Sequence, residues 1–202
     1  MTTACPLLID RSVLPLAELF ALVLDGQLYR VGDGFATPDT PDTPELRAHA
    51  FGMLRPGRLV ADRGTAAWIH GTRATPPARP QVCIERASRG RVPIGFDAHQ
   101  HALAAGDTIE LAGARLTAPL RTALDLVLTS PGFDAPDALE VRHLLVIAGA
   151  SPGDLRGRIA CTRRRGSARA VLRLALVERT ELPAPLEHAE PPEPAGTRLS
   201  RR

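Results

Sequence analysis

The 202 residues, 44% of them apolar but only 3% aromatic, suffice for one good-sized core or for a small module joined to a medium one, packed on Leu, Val, Ile and Ala. No run reaches the roughly 18 apolar residues of a membrane helix. MTTACPLLIDRSVLP at the start lacks a basic region, and Cys5, Cys83 and Cys161 are too scattered for a disulfide framework or a zinc knuckle, so the expectation is a cytoplasmic protein with free thiols. The net charge of +3 hides an uneven distribution: residues 1–44 carry six acids against Arg11 and Arg30, whereas residues 156–173 carry seven arginines and no acid.

Residues 14–24 (LPLAELFALVL) read as a short apolar helix ended at Asp25-Gly26, and residues 27–37 as a strand, a turn centred on Asp33-Gly34 and a return strand. A helix followed by a hairpin is either the second half of a winged helix-turn-helix or a unit used only for packing. TPDTPDTPE then places a Pro at every third residue with acids between, which excludes regular structure and marks residues 38–44 as a linker between residues 1–37 and 45–180. Residues 45–54 form a helix stopped at Pro56-Gly57, residues 59–61 a short strand, and residues 65–70 a helix closed by Gly71 in the left-handed conformation. His70, at that helix end beside Trp68, reads as a hydrogen-bonded structural histidine. Two β-type segments, PQVCIE and RVPIGF, flank the basic turn at 88–91, and another pair, DTIEL and ARLT, brackets Ala112-Gly113. Together they predict one small antiparallel or mixed sheet.

Residues 116–128 (LTAPLRTALDLVL) organise the chain, because there a strand pattern becomes a helix pattern. Pro119 suits the first helical turn and Thr117 can cap it. Leu120, Ala123, Leu124, Val127 and Leu128 recur at helical spacing as one apolar face. Arg121 and Asp125 sit four apart on the other side, a surface ion pair of about 0.2 to 0.5 kcal/mol. Helices follow at 138–148, from a capping box at Ser151 and Asp154, and at 167–178. In the last, Val171, Leu172, Ala175 and Leu176 make the apolar side and leave Arg169 and Arg173 facing outward. Residues 181–202, rich in Pro and Glu, are expected to be disordered.

Catalytic patterns are thin. There is no Walker-type loop, no Gly-x-Ser-x-Gly and no Gly-rich dinucleotide loop. His99 and His101 supply at most half a zinc site, and Asp125 has an arginine at hand and no second acid at fixed spacing. The expectation is a non-enzyme with no metal and no cofactor; an alternative from the enzyme class is a nucleic-acid-processing protein using His99, His101 and nearby carboxylates. The basic cluster Arg163, Arg164, Arg165, Arg169 and Arg173, with Arg30 on the hairpin, is the strongest binding feature, since Arg forms bidentate contacts with phosphates and carboxylates. Its partner would be nucleic acid or an acidic protein patch, and the alternative is a solvated face in a chain that has no Lys.

Four stretches taken in order resemble actinobacterial proteins of the AbiEi-type antitoxin family of type IV toxin-antitoxin systems. VADRGTAAWIHGT (60–72) resembles the family's "SHxSAAxLHGL" segment and LTAPLRTALDLVL its "SPxRTxxDLA" segment. GQLYRVGDGFAT (26–37) is similar to the wing of the N-terminal winged helix, and RRRGSARAVLRLALVE (163–178) to the helix that follows. The resemblance implies an α/β (α+β) protein with a truncated winged-helix remnant at 1–37 and a small sheet packed with C-terminal helices at 45–180. It places Arg63, Trp68, His70 and Gly71, and Pro119, Arg121, Thr122 and Asp125, on architectural signature segments, with Arg121 and Asp125 fixing a helix against the sheet. The implied function is an antitoxin-like transcriptional regulator that binds operator DNA, neutralises a cognate nucleotidyltransferase-type toxin protein, or both. Because residues 1–44 are net acidic and DNA is contacted through its phosphates, the alternative is a protein-interaction module of the same family that has lost DNA binding.

Overall fold

The computed structural model describes residues 8–54, 58–85, 94–162 and 166–182. In chain order these form α1 (Leu16–Leu24), a hairpin of β1 (Tyr29–Val31) and β2 (Gly34–Ala36), α2 (Pro44–Met53), β3 (Val60–Ala61), α3 (Arg63–Ile69), β4 (Gln81–Glu85), β5 (Asp97–His101), β6 (Thr108–Leu111) and β7 (Ala114–Thr117). Four helices follow among the described residues: α4 (Pro119–Thr129), α5 (Ala135–Ile147), α6 (Pro152–Ala160) and α7 (Ser167–Arg179). The fold is mixed α/β. Its five-stranded sheet has the order β5-β4-β3-β7-β6, with β3 antiparallel to β4 and parallel to β7, and with β4 parallel to β5. No helix among the described residues is long and apolar enough to cross a membrane.

Local chemistry sets most boundaries. The hairpin turns through Gly32-Asp33, one residue earlier than the sequence reading, because Val31 faces Gly34 and Gly32 supplies the positive φ of +59° that the turn needs. After the irregular stretch at 37–43, the Thr43 hydroxyl accepts from the Leu46 N–H (3.2 Å) and starts α2. Capping boxes open α5 at Asp134/Asp137 and α6 at Ser151/Asp154. At the end of α3, His70 is the last helical-type residue and Gly71 follows at φ +85°.

Two expectations fail here. RVPIGF is not a strand where it is described: Ile94 and Gly95 lie in a turn, and the strand is the polar stretch Asp97–His101, registered with Gln81 opposite Asp97. As the edge of the sheet it carries little apolar alternation to read. Thr117 does not cap α4. Ala118 occupies the cap position without a side-chain bond, and the buried Thr117 hydroxyl pairs instead with that of Thr122, 2.7 Å away. The basic turn at 88–91, Pro56-Gly57, Cys5 and the tail from residue 183 lie outside the described residues.

Among the described residues, the buried apolar side chains gather in three clusters. One lies on the sheet under α2 and α3, with Leu46, Phe51, Val82, Leu116 and Trp68, and it includes Val31 and Ala36 of the hairpin. A second joins α4 to α7 through Val127, Leu144, Leu155, Leu174 and Val177. The third is small and holds α1 to the hairpin through Leu19, Leu28 and Phe35.

Candidate functional site

Of the signature residues, His70 and Thr122 meet where α3, β7 and α4 join, whereas Arg63 reaches across to β5 and Trp68 packs toward the hairpin and α2. His70 Nε2 lies 2.8 Å from the Thr117 carbonyl oxygen in a buried setting, so the neutral ring donates there. Burial pushes the His70 pKa down and outweighs that bond, which pulls it up. The Thr122 hydroxyl reaches the Thr117 and Ala118 carbonyls, both at 3.1 Å, and fastens the start of α4 to β7. Trp68, also buried, carries the Arg47 guanidinium over its ring at 5.8 Å.

Arg121 and Asp125 are buried, which corrects the expectation of a surface pair. Arg121 Nε donates to Asp125 (2.8 Å) and its Nη1 to Asp107 (2.6 Å), while the other Asp107 oxygen takes a bond from Arg158 of α6. Every α4 residue from Arg121 to Leu128 is buried, because this helix has neighbours on both sides. Burial pushes Asp107 up, but the Ala104 N–H, Arg158 and Arg121 together hold it below the usual carboxylate range. For Arg121, burial pushes the pKa down, and Asp125 and Asp107 more than restore it.

Arg63 adopts φ +45°, a left-handed conformation rare outside glycine. Its guanidinium donates to Asp62 (3.0 Å) and to the side chain and carbonyl of Asp97 (3.1 and 3.0 Å). Asp62 is fully buried and its Oδ2 has no hydrogen-bond partner. Burial pushes its pKa up to about 7, with Asp125 and Asp97 adding to the rise and Arg63 opposing it. Asp62 and Asp107 escaped the sequence reading, and Arg158 entered it only as a member of the basic run at 156–173. Asp62 stands next to a signature arginine, but nothing in its spacing showed that it would be buried.

The arginine cluster divides. Arg173 does not face outward: it is buried, donates to the Val127 and Ser130 carbonyls (2.8 and 2.6 Å) and lies 5.3 Å over the Phe133 ring. Those carbonyls end α4, where no intrahelical donor remains to satisfy them. Burial, then neighbouring Arg169, pulls the Arg173 pKa down. Arg169 is exposed, and Arg163, Arg164 and Arg165 lie outside the described residues. Arg156 is paired with Glu178, and exposed Arg30 with Asp33 at 3.4 Å. With Arg173 turned in, Val171 and Leu172 are 55% and 75% exposed, the reverse of the expected orientation.

The other chemistry candidates border this region: His99 Nδ1 lies 3.6 Å from Asp97 Oδ1, and Cys83 lies within electrostatic reach of Asp62, Asp125, Arg121 and Arg63. His99 and His101 stack on the edge strand β5 with centroids 6.0 Å apart, and no group of three potential metal ligands occurs among the described residues. Cys83 is buried and its thiol is pushed up to about 12, chiefly by burial, which leaves it a poor nucleophile. Cys161 is exposed.

No family model matches the chain. Imidazolonepropionase of Mycolicibacterium smegmatis (strain ATCC 700084 / mc(2)155) is 35% identical over 74 residues, which is 37% of this chain and 18% of that enzyme. The chain thus spans less than a fifth of that relative's length. Among solved structures, the crystal structure of the Rv2827c protein from Mycobacterium tuberculosis is similar at a TM-score of 0.43 and 16% identity, covering 88% of this chain and 78% of that one.

Proposed function

We propose that this chain is an antitoxin-like regulator without catalytic activity of its own, which works by docking a partner protein on the outward face of α7. The inward turn of Arg173 carries this reading, because it leaves Val171 and Leu172 in solvent beside exposed Arg169. Covering these side chains contributes roughly 25 cal/mol for each Å² of apolar surface removed from water, offset in part by the cost of association. The charge of exposed Arg169, and of Arg163, Arg164 and Arg165 a few positions before it in the sequence, selects the partner: an apolar hollow rimmed with carboxylates, as on a cognate toxin of the nucleotidyltransferase type that the family resemblance implies.

The test is calorimetric titration of the full chain with the product of the neighbouring gene. The double variant Val171→Asp, Leu172→Asp should bind at least ~10-fold more weakly while its thermal unfolding stays within a few degrees of the parent. Undiminished affinity in a folded double variant would overturn the reading.

A second reading, operator DNA binding, draws support from the order of α1 and the β1-β2 hairpin and from exposed Arg30 on that hairpin. It predicts specific binding to the chain's own upstream DNA that falls steeply with salt, and a flatter salt slope when Arg163, Arg164 and Arg165 are replaced by Ala. An unchanged slope would remove the arginine run from that interface.

A further inference from the structure

We infer that the hollow between the hairpin and α2/α3 is a binding site for a small, neutral, apolar molecule. Its volume of about 450 Å³ suits a compact organic ligand. Phe51 of α2, Leu54 just after it, Trp68 of α3, Gly32 of the hairpin, and Pro76 and Pro77 of the loop before β4 wall it.

Three features make this hollow a built one. A Cβ at Gly32 would stand 3.2 Å from the Trp68 ring, so glycine lets the hairpin turn come up to the indole. The Trp68 ring is held in place: Arg47 lies over it and donates to the Trp68 and Arg73 carbonyls at 2.8 and 3.0 Å. The facing loop, ATPPARP at 74–80, has three prolines whose fixed φ limits collapse into the space, so little ordering entropy is lost when a ligand enters.

The charges at the mouth decide the class of ligand. Arg30 is bonded to the Gly32 carbonyl (2.7 Å) and paired with Asp33, and Asp42 is held by two bonds from Arg47 (2.7 and 2.6 Å). An ion entering the hollow would lose water and meet charges already matched, whereas a neutral apolar molecule loses only its contact with water. Thr75 in the wall has a hydroxyl that can orient one polar atom of the ligand. A ligand seated there touches the hairpin and α2 at once and ties their positions together.

Trp68 is the single tryptophan, so its emission reports on this site alone. The full chain is titrated with N-phenyl-1-naphthylamine, a neutral fluorescent probe, following energy transfer from Trp68. Saturable one-to-one transfer is expected. Ala78→Phe and, separately, Ala74→Phe fill the hollow from exposed loop positions and should each weaken binding at least ~10-fold with the unfolding midpoint kept. Absence of saturable transfer in the parent, or parental affinity in both filled variants, would overturn the site. Tighter binding of the anionic 1-anilinonaphthalene-8-sulfonate would overturn the neutral class.

Discussion

Asp62 keeps one carboxylate oxygen on Arg63 and leaves the other, fully buried, with no partner. The neighbouring left-handed backbone at Arg63 costs roughly 1 to 3 kcal/mol and is offset by the three bonds its guanidinium makes. With the Asp62 pKa near 7 in the fold and at the ordinary carboxylate value when unfolded, the native state holds a proton that the unfolded state has lost between those limits. Stability contributed here is therefore present at acid pH, falls as pH rises toward about 7 and is level above it. Asp62→Asn keeps the shape and removes the titration. Urea unfolding at pH 5 and pH 8 should show the variant gaining on the parent at the higher pH, and an equal difference at both would refute the assignment. His70 acts in the opposite sense, since its lowered pKa takes stability away as pH falls below the ordinary histidine range. None of this was legible in the spacing of Asp62 and Arg63, which shows two adjacent charges and no sign that both are buried.

Helices α4 and α7 show how far an amphipathic pattern can be trusted. Both exist where periodicity placed them, and in α4 the face of Ala123, Leu124, Val127 and Leu128 packs as expected. Their polar residues were misjudged for one reason. A helix covered on a second side keeps charged side chains only by pairing them, and Arg121, Asp125 and Arg173 are all paired or bonded inside the molecule. Arg173 fixes the rotation of α7, and Gly166 permits the approach: it sits at φ +97°, and a Cβ there would fall 2.8 Å from the Leu128 carbonyl oxygen. Arg173→Ala should cost about 2 to 4 kcal/mol in urea unfolding, because the buried Val127 carbonyl and the half-buried Ser130 carbonyl lose their donors and Phe133 its cover. Arg173→Lys should recover only part of this, having one point donor in place of a fork. A loss under about 0.5 kcal/mol for the alanine variant would mean that α7 is oriented by its leucines alone.

At the scale of the molecule, Asp107 ties the layers together. From the turn before β6 it binds Arg121 of α4 and Arg158 of α6, so one carboxylate links the sheet edge to two helices. Asp107→Ala leaves Arg121 buried with Asp125 as its remaining carboxylate and the Ala102 carbonyl as a neutral acceptor, and should cost about 1.5 to 3 kcal/mol. Since the folded pKa of Asp107 is depressed, its stabilisation is full above the ordinary carboxylate value and is lost as pH falls through the folded one. The variant should thus lose its disadvantage in strong acid, and a penalty that stayed constant there would show that packing, not charge, accounts for it. The sequence by itself determined the order of helices and hairpins, the capping box at Ser151 and Asp154, the left-handed Gly71 and the acidic and arginine-rich segments. These depend on residues within a few positions of one another, where sterics and hydrogen bonds act directly. Only the tertiary structure decided which way α7 faces, that Arg121, Asp125 and Arg173 lie inside, and that Asp62 and Asp107 are buried beside them. Those outcomes rest on partners 46 residues apart for Arg173 and Val127 and 51 for Arg158 and Asp107, and a buried charge goes where its distant partner is.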